Sequence, residues 1–246
     1  MIERLRSAFK SFKPVVLDCY TADPSVFEYA KIDKATKFFP DWWRNIPKDS
    51  PTPTMKMCSG FLDLYKKSFV LPLWSDFFVT FKDDGSFTWN YPLDTESSAD
   101  WHGPHQYPNW VDESTQHLKL ISPWVIHCDE EIYFQMSPVI YSRTSLFDWV
   151  GLSGVVEYKY QHTTHVNMFF NLKEKKEFSI EFGEPLLFIL PITERKVIIR
   201  THLVSKEEFA LKQSIFPKSR NRYLLSKKIK KQQEQKSGCP FGFGKN

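Results

Sequence analysis

The string His127-Cys128-Asp129 carries the His-x-Asp spacing of two legs of a metal-binding facial triad. His202 lies far enough downstream to supply the third. Two imidazoles and one carboxylate at one corner would hold Fe(II) and leave positions open for 2-oxoglutarate and oxygen. The strands that would carry these residues argue otherwise. Alternation from 124 to 136 puts Trp124, Ile126, Cys128, Ile132, Phe134 and Met136 on an apolar face. His127, Asp129, Glu131 and Gln135 fall on the polar one. In the last strand Val197, Ile199 and Leu203 share a face, and His202 lies opposite with Lys196 and Arg200. Both parts of the triad are therefore expected to face solvent. No Arg on a following strand suits a 2-oxoglutarate carboxylate. The expectation is no metal and no cofactor, with Fe(II) and 2-oxoglutarate at His127, Asp129 and His202 as the alternative.

Three other clusters carry polar or aromatic chemistry. His162-Thr163-Thr164-His165 has His-x-x-His spacing, which converges on a helix but not on a strand. It is read as polar turn residues between strands. The segment Ala99–Asp112, ADWHGPHQYPNWVD, gathers Trp101, His102, His105, Tyr107 and Trp110 without a regular period. Exposed aromatics on a loop with a few polar groups suit ligand binding. These five are the ligand-binding candidates; the competing reading is a loop whose rings close the end of the β domain. Trp42 and Trp43, beside a Pro-rich connector, are read as packing. No Gly-x-Ser-x-Gly, Walker loop, His-Glu-x-x-His or Gly-x-Gly-x-x-Gly is present, so no catalytic residue is assigned.

The elements that must position these residues are mostly strands. From Gln116 to Val204 the chain reads as strand-like segments rich in Val, Ile, Phe and Tyr, cut by polar breaks such as KEKKE and TER. The spacing predicts at least five antiparallel strands in a mainly β, jelly-roll or barrel-like domain. Trp124, Ile126, Phe134, Phe170, Ile180, Phe188 and Ile199 are its expected core. Ahead of it, 2–12 reads as a helix, 15–20 as a strand and 30–45 as a turn-rich segment broken at Pro40. The run 46–54 is a Pro-rich connector. Strands are expected again at 55–58, 69–81 and 86–91, with the Asp84-Gly85 hairpin between the last two. Residues 92–115 read as loop. Ser205 begins a helix over 206–214, N-capped and acidic in its first turn. The domains are 1–54, an irregular or helical lead; 55–204, the β domain; and 205–246, a basic helical tail.

Composition narrows the function classes. A chain of 246 residues with 41% apolar content can bury one β domain with extensions. No apolar run approaches the ~18–20 residues of a membrane helix. The basic N-terminus lacks an apolar stretch after it, so no secretory leader is expected. Cys19, Cys58, Cys128 and Cys239 are scattered without a Cys-x-x-Cys pair, which argues against structural zinc and for reduced thiols. A cytoplasmic setting follows. The net charge of +4 hides an asymmetry: from Leu211 onward ten Lys/Arg face one Glu, so the tail carries +9 and the rest −5. Arg220, Arg222, Lys227, Lys228, Lys230 and Lys231 are the tail's candidate partner-binding residues. A second subunit, another assembly component or nucleic acid would meet them, the last without a supporting motif.

Two resemblances follow from longer strings. KFFPDWWRNIPK, MKMCSGFLDLYKKSFVLPLWSD, KLISPWVI and GEPLLFILPI, in that order, resemble an uncharacterised domain family common in marine tailed phages, including cyanophages, and in some bacteria. The likeness spans roughly 15–205. It implies a phage or bacterial origin, a host-cytoplasm or virion location, and no established activity. More faintly, within 142–191, Ser142-Arg143-Thr144-Ser145-Leu146, Gly154-Val155-Val156-Glu157 and Gly183-Glu184-Pro185-Leu186 are similar in order to the motifs of dUTP pyrophosphatases, small jelly-roll barrels. Glu157 stands where those enzymes position their water with an Asp. Phe188 or a neighbour replaces a Gln, and their Arg-bearing C-terminal arm has no good counterpart. The reading that results is a phage-type binding or assembly protein without an evident catalytic site, a virion or accessory component. An iron oxygenase and a degenerate nucleotide-binding barrel are the alternatives. The basic tail is expected to be separable: truncation after Leu211 should leave the domain folded and weaken its salt-sensitive association.

Overall fold

The computed structural model describes residues 13–82, 84, 86–90, 99–103, 106–107, 114–142, 148–173, 176–214, 227–229 and 231–232. The helix expected over 2–12 lies outside them.

The fold is mainly β. Its longest strand, β7 (Thr115–His127), has 13 residues, a reach of roughly 40 Å. That length lets it take two partners end to end on one edge. β1 (Val15–Thr21) pairs with its C-terminal end, Asp18 opposite His127. β6 (Ala99–His102) pairs with its N-terminal part, His102 opposite His117. Along the other edge runs β11 (Thr163–Asn171), followed by β9 (Trp149–Gly151). β14 (Val197–Leu203) lies parallel to β1 and completes a six-stranded sheet. A second sheet has the order β10 (Gly154–Val156), β8 (Phe134–Pro138), β13 (Pro185–Pro191), β3 (Phe69–Pro72), β2 (Asp33–Lys34). A third, small sheet joins β12 (Glu177–Ile180), β4 (Phe77–Phe81) and β5 (Phe87–Asn90).

The core sits between the sheets. It is lined by the alternate residues Val15, Leu17 and Cys19 of β1, Leu118, Leu120, Trp124 and Ile126 of β7, and Val166, Met168 and Phe170 of β11. They meet Leu71, Phe134, Leu187 and Ile189 of the second sheet, and Phe77, Val79 and Ile180 of the third. The Trp124 indole N–H, fully buried, donates to Ala30 O at 3.1 Å, so this large core side chain keeps its polar atom satisfied. Gly183, with φ of 80°, makes the turn between β12 and β13 that a side chain would strain.

Helices flank the sheets. α1 (Pro24–Tyr29) starts where the Asp23 carboxylate accepts from Ser25 N and Val26 N, with Pro24 as its first residue. α2 (Asp41–Arg44) begins after Pro40. α3 (Ser59–Lys67) buries Phe61 and Tyr65, one turn apart. α4 (Lys206–Ser214) starts at Ser205, whose hydroxyl accepts from Glu208 N at 3.1 Å.

Several expectations need correction. No sheet closes into a barrel among the described residues, and the β1–β14 pair is parallel. Residues 55–58 are a short 3-10 turn leading into α3, not a strand. There Phe61, Leu64 and Tyr65 recur at helical spacing, a period the short MKMC string hid. Expected strand 69–81 is two strands, β3 and β4, which enter different sheets. The loop over 92–115 contains β6, and 163–165 belong to β11, not to a turn. Ile199 is half-buried at the sheet margin, whereas the other six expected core residues are buried. The helix over 206–214 and five or more antiparallel strands within 116–204 are present.

Candidate functional site

Alternation along β7, β11, β1 and β14 leaves a second face of the large sheet, turned away from the core. Six of the chain's seven histidines gather on it: His102, His117, His127, His162, His165 and His202. They form two groups.

The first group lies where β6 crosses β7. His102 stacks on His117 with ring centroids 4.7 Å apart, and His117 stacks on Phe169 at 4.3 Å. The Tyr107 ring meets both His117 and Phe169 edge-on, and its hydroxyl donates to His102 O at 3.0 Å. His117 Nε2 faces Asn167 Oδ1 at 3.2 Å, and His102 Nδ1 faces Gln106 Oε1 at 2.5 Å. An amide oxygen only accepts, so each ring donates through that nitrogen and its other nitrogen is an acceptor. Those acceptors, His117 Nδ1 and His102 Nε2, are buried and have no hydrogen-bond partner among the described residues. His165 Nδ1 is likewise buried without a partner among the described residues, two same-face positions along β11 from Phe169, which pairs with His117. Desolvation by burial holds both His117 and His165 down to a pKa of about 4, so both are neutral at ordinary pH. Lys119 and Asp100 form an ion pair of 2.8 Å beside them, which keeps the Asp100 carboxyl below its usual range.

The ligand-binding candidates therefore divide. His102 and Tyr107 join the ring stack. Trp101 points to the opposite side of the sheet, because successive side chains of a strand alternate; it is 42% exposed and its indole donates to Gln116 Oε1 at 3.2 Å. His105 and Trp110 lie outside the described residues. His117, Asn167 and Phe169 were not singled out from sequence. Their strands are legible there, but not the cross-strand register that stacks them.

The second group surrounds the C-terminal half of β1, between β14 and β7. His202 Nε2 lies 2.7 Å from Asp18 Oδ1 and its ring stacks on Tyr20 at 4.7 Å. His127 Nε2 lies 2.9 Å from Asp129 Oδ1, and its ring lies 4.7 Å from that of His162. Lys212 of α4 places its ammonium 3.8 Å from the Tyr20 ring centre. His127, Asp129 and His202 thus share a face, and each imidazole is spoken for by a different carboxylate. No group of three or more His, Cys, Asp or Glu positioned for a metal occurs among the described residues.

The basic tail meets the opposite end of the second sheet. Lys227 Nζ lies 2.8 Å from Glu157 Oε2, and Lys231 lies 3.5 Å from Glu131. Lys228 is exposed, and Arg220, Arg222 and Lys230 lie outside the described residues. Glu157, the residue that motif order places at a water-positioning carboxylate, is a buried side chain paired with a lysine. Residues 143–147 of that motif series lie outside the described residues.

Trp42 and Trp43 sit in a satellite aromatic cluster. Phe39 stacks between Trp43 and Tyr65, at 4.1 and 4.4 Å, with Phe61 against all three. Trp42 stays half outside and donates to Tyr141 O at 2.8 Å.

No family model matches the chain, and no curated protein matches it. No helix among the described residues is long and apolar enough to cross a membrane.

Proposed function

We propose that the chain is a binding or assembly protein without a catalytic centre of its own. Its recognition surface is the His-rich outer face of the large sheet, beneath the aromatic segment that includes His102 and Tyr107. The observation that carries this is the set of buried imidazole nitrogens on that face, on His102, His117, His127 and His165, that have no hydrogen-bond partner among the described residues. A buried acceptor without a donor costs about 1–3 kcal/mol. A partner that brings N–H or O–H donors would remove that cost.

A phage setting, with a virion or accessory role, is part of the proposal. It rests on the resemblance of the strings within roughly 15–205 to an uncharacterised family of marine tailed phages. A jelly-roll relationship is proposed on the facing sheets of mostly antiparallel strands.

Two measurements test the reading. Metal analysis with mass in solution should return a metal-free protein; stoichiometric iron would favour the oxygenase alternative instead. Saturation-transfer NMR against a panel of hydroxyl- and amine-bearing small molecules should show contacts to His102, His117 and Tyr107 rings. His117→Phe should keep or raise the melting temperature while losing those contacts. A monomer with no contact across the panel would overturn the proposal.

A further inference from the structure

We infer that the seam between β14 and residues 31–34 is a docking groove for an extended, acidic peptide. It lies apart from the His-rich face and stands independently of the reading above.

Two adjoining cavities, of about 360 and 330 Å³, share Lys34, Phe69, Lys196 and Val197 and make one continuous groove. One wall is β14, which pairs with β1 alone among the described residues and so ends its sheet. The other wall is Lys31–Lys34, which leads into β2 at the end of the second sheet. The direction of the β14 backbone follows from its ladder. Val15 N donates to Lys196 O at 2.8 Å, and Val204 N donates to Thr21 O at 3.0 Å. Even-numbered residues therefore turn their N–H and C=O toward β1, and Val197, Ile199, Thr201 and Leu203 turn theirs away. Three of these four line the groove. The groove thus offers a row of backbone donors and acceptors, the requirement for adding a strand.

Charge selects the occupant. Lys34, Lys66, Lys67 and Lys196 line the groove and form no ion pair among the described residues, while Lys31 pairs with Glu28 at 3.8 Å and Arg195 is held by Glu130. The lining anions are Asp33, already bonded to Lys37, and Glu194. The chain's own tail is basic, so it would be repelled. A single-stranded nucleic acid would want rings to stack its bases. The lining aromatic, Phe69, is buried. An extended peptide with acidic side chains meets both the backbone row and the lysines.

The test uses the full chain and a fluorescein-labelled peptide of alternating Val and Glu, about ten residues long, read by fluorescence anisotropy. Binding should weaken steadily from about 0.05 to about 0.5 M salt. The double variant Lys34→Glu, Lys196→Glu should lose at least about tenfold in affinity. Thr201→Pro removes only an outward-facing N–H at a sheet edge, where proline is tolerated; it should lose about tenfold while its far-ultraviolet spectrum is unchanged. Should Thr201→Pro disturb the fold, the same peptide N-methylated at alternate residues must fail to bind. No binding of the acidic peptide would overturn the inference. So would full affinity of Thr201→Pro or of the methylated peptide, or equal binding of an oligothymidine of about fifteen nucleotides, because charge alone would then account for the groove.

Discussion

Lys227 Nζ lies 2.8 Å from Glu157 Oε2, although the two residues stand 70 apart in sequence and the Glu157 side chain is only 1% exposed. A segment beyond α4 returns to the end of β10 and neutralises a carboxylate there. The same ammonium sits 5.6 Å from the Tyr133 ring centre and 5.4 Å from that of Tyr160, so the cation also faces two aromatic rings.

Removing that cation should cost stability. Lys227→Ala is expected to lower the unfolding free energy by about 1–3 kcal/mol, because a buried carboxylate loses a charge-assisted partner. Urea denaturation reads it directly. The double variant Lys227→Ala, Glu157→Gln should recover part of the loss, since the amide carries no charge to strand. Truncation after Leu211 takes away the same lysine. An unchanged midpoint in Lys227→Ala would show that Glu157 is held without it.

Acid should destabilise the protein before its carboxylates titrate fully. Burial lowers His117 and His165 from 6.5 to about 4 in the folded state. The unfolded chain therefore binds more protons between those values. Stability is fully present above about pH 6.5 and falls as pH drops toward 4, by at most on the order of 3 kcal/mol per ring. Melting temperatures across that interval, compared with His117→Phe, isolate the effect. A variant with the same slope as the parent would remove His117 from the account.

Gly151 should not accept a side chain. A Cβ there would lie 2.9 Å from Pro138 Cβ and 3.6 Å from the Trp149 ring. The proline ring cannot swing aside, so β8 and β9 would have to separate. Gly151→Ala is expected to lose about 1–3 kcal/mol, the usual cost of overpacking. Gly154, whose added Cβ meets nothing within 4 Å, is the control.

Thiol reactivity should separate by burial. Cys58 is exposed at the start of α3, while Cys19 and Cys128 are buried and desolvation raises both thiols above their usual range. Iodoacetamide followed by peptide mass spectrometry should modify Cys58 in the native protein. Cys19 and Cys128 should react only once the chain is unfolded. Native labelling of Cys19 would place the first strand outside the core.

Local pattern carried much of the architecture. Leu17 and Cys19 flank Asp18, and Leu118 and Leu120 flank Lys119, so a partial period-two alternation runs through both segments. Period-two hydrophobicity therefore announces strands with one buried face. The same alternation placed His127, Asp129 and His202 away from the core. Capping residues likewise marked the start of α4 at Ser205. The helix Ser59–Lys67 is not legible locally, because its apolar positions sit in a short segment behind a Pro-rich stretch, where strand and helix periods are hard to separate.

Which faces are apolar follows from local residue order, because side-chain periodicity is a property of the extended or helical backbone. Which polar residues meet follows from how distant segments pack. His102 reaches His117, His202 reaches Asp18, and Lys227 reaches Glu157 because of strand register and chain return. Those depend on the packing of distant segments, and no local spacing encodes them. The same holds for the parallel pairing of β1 with β14, which sets the first strand beside the last and leaves β14 as an edge.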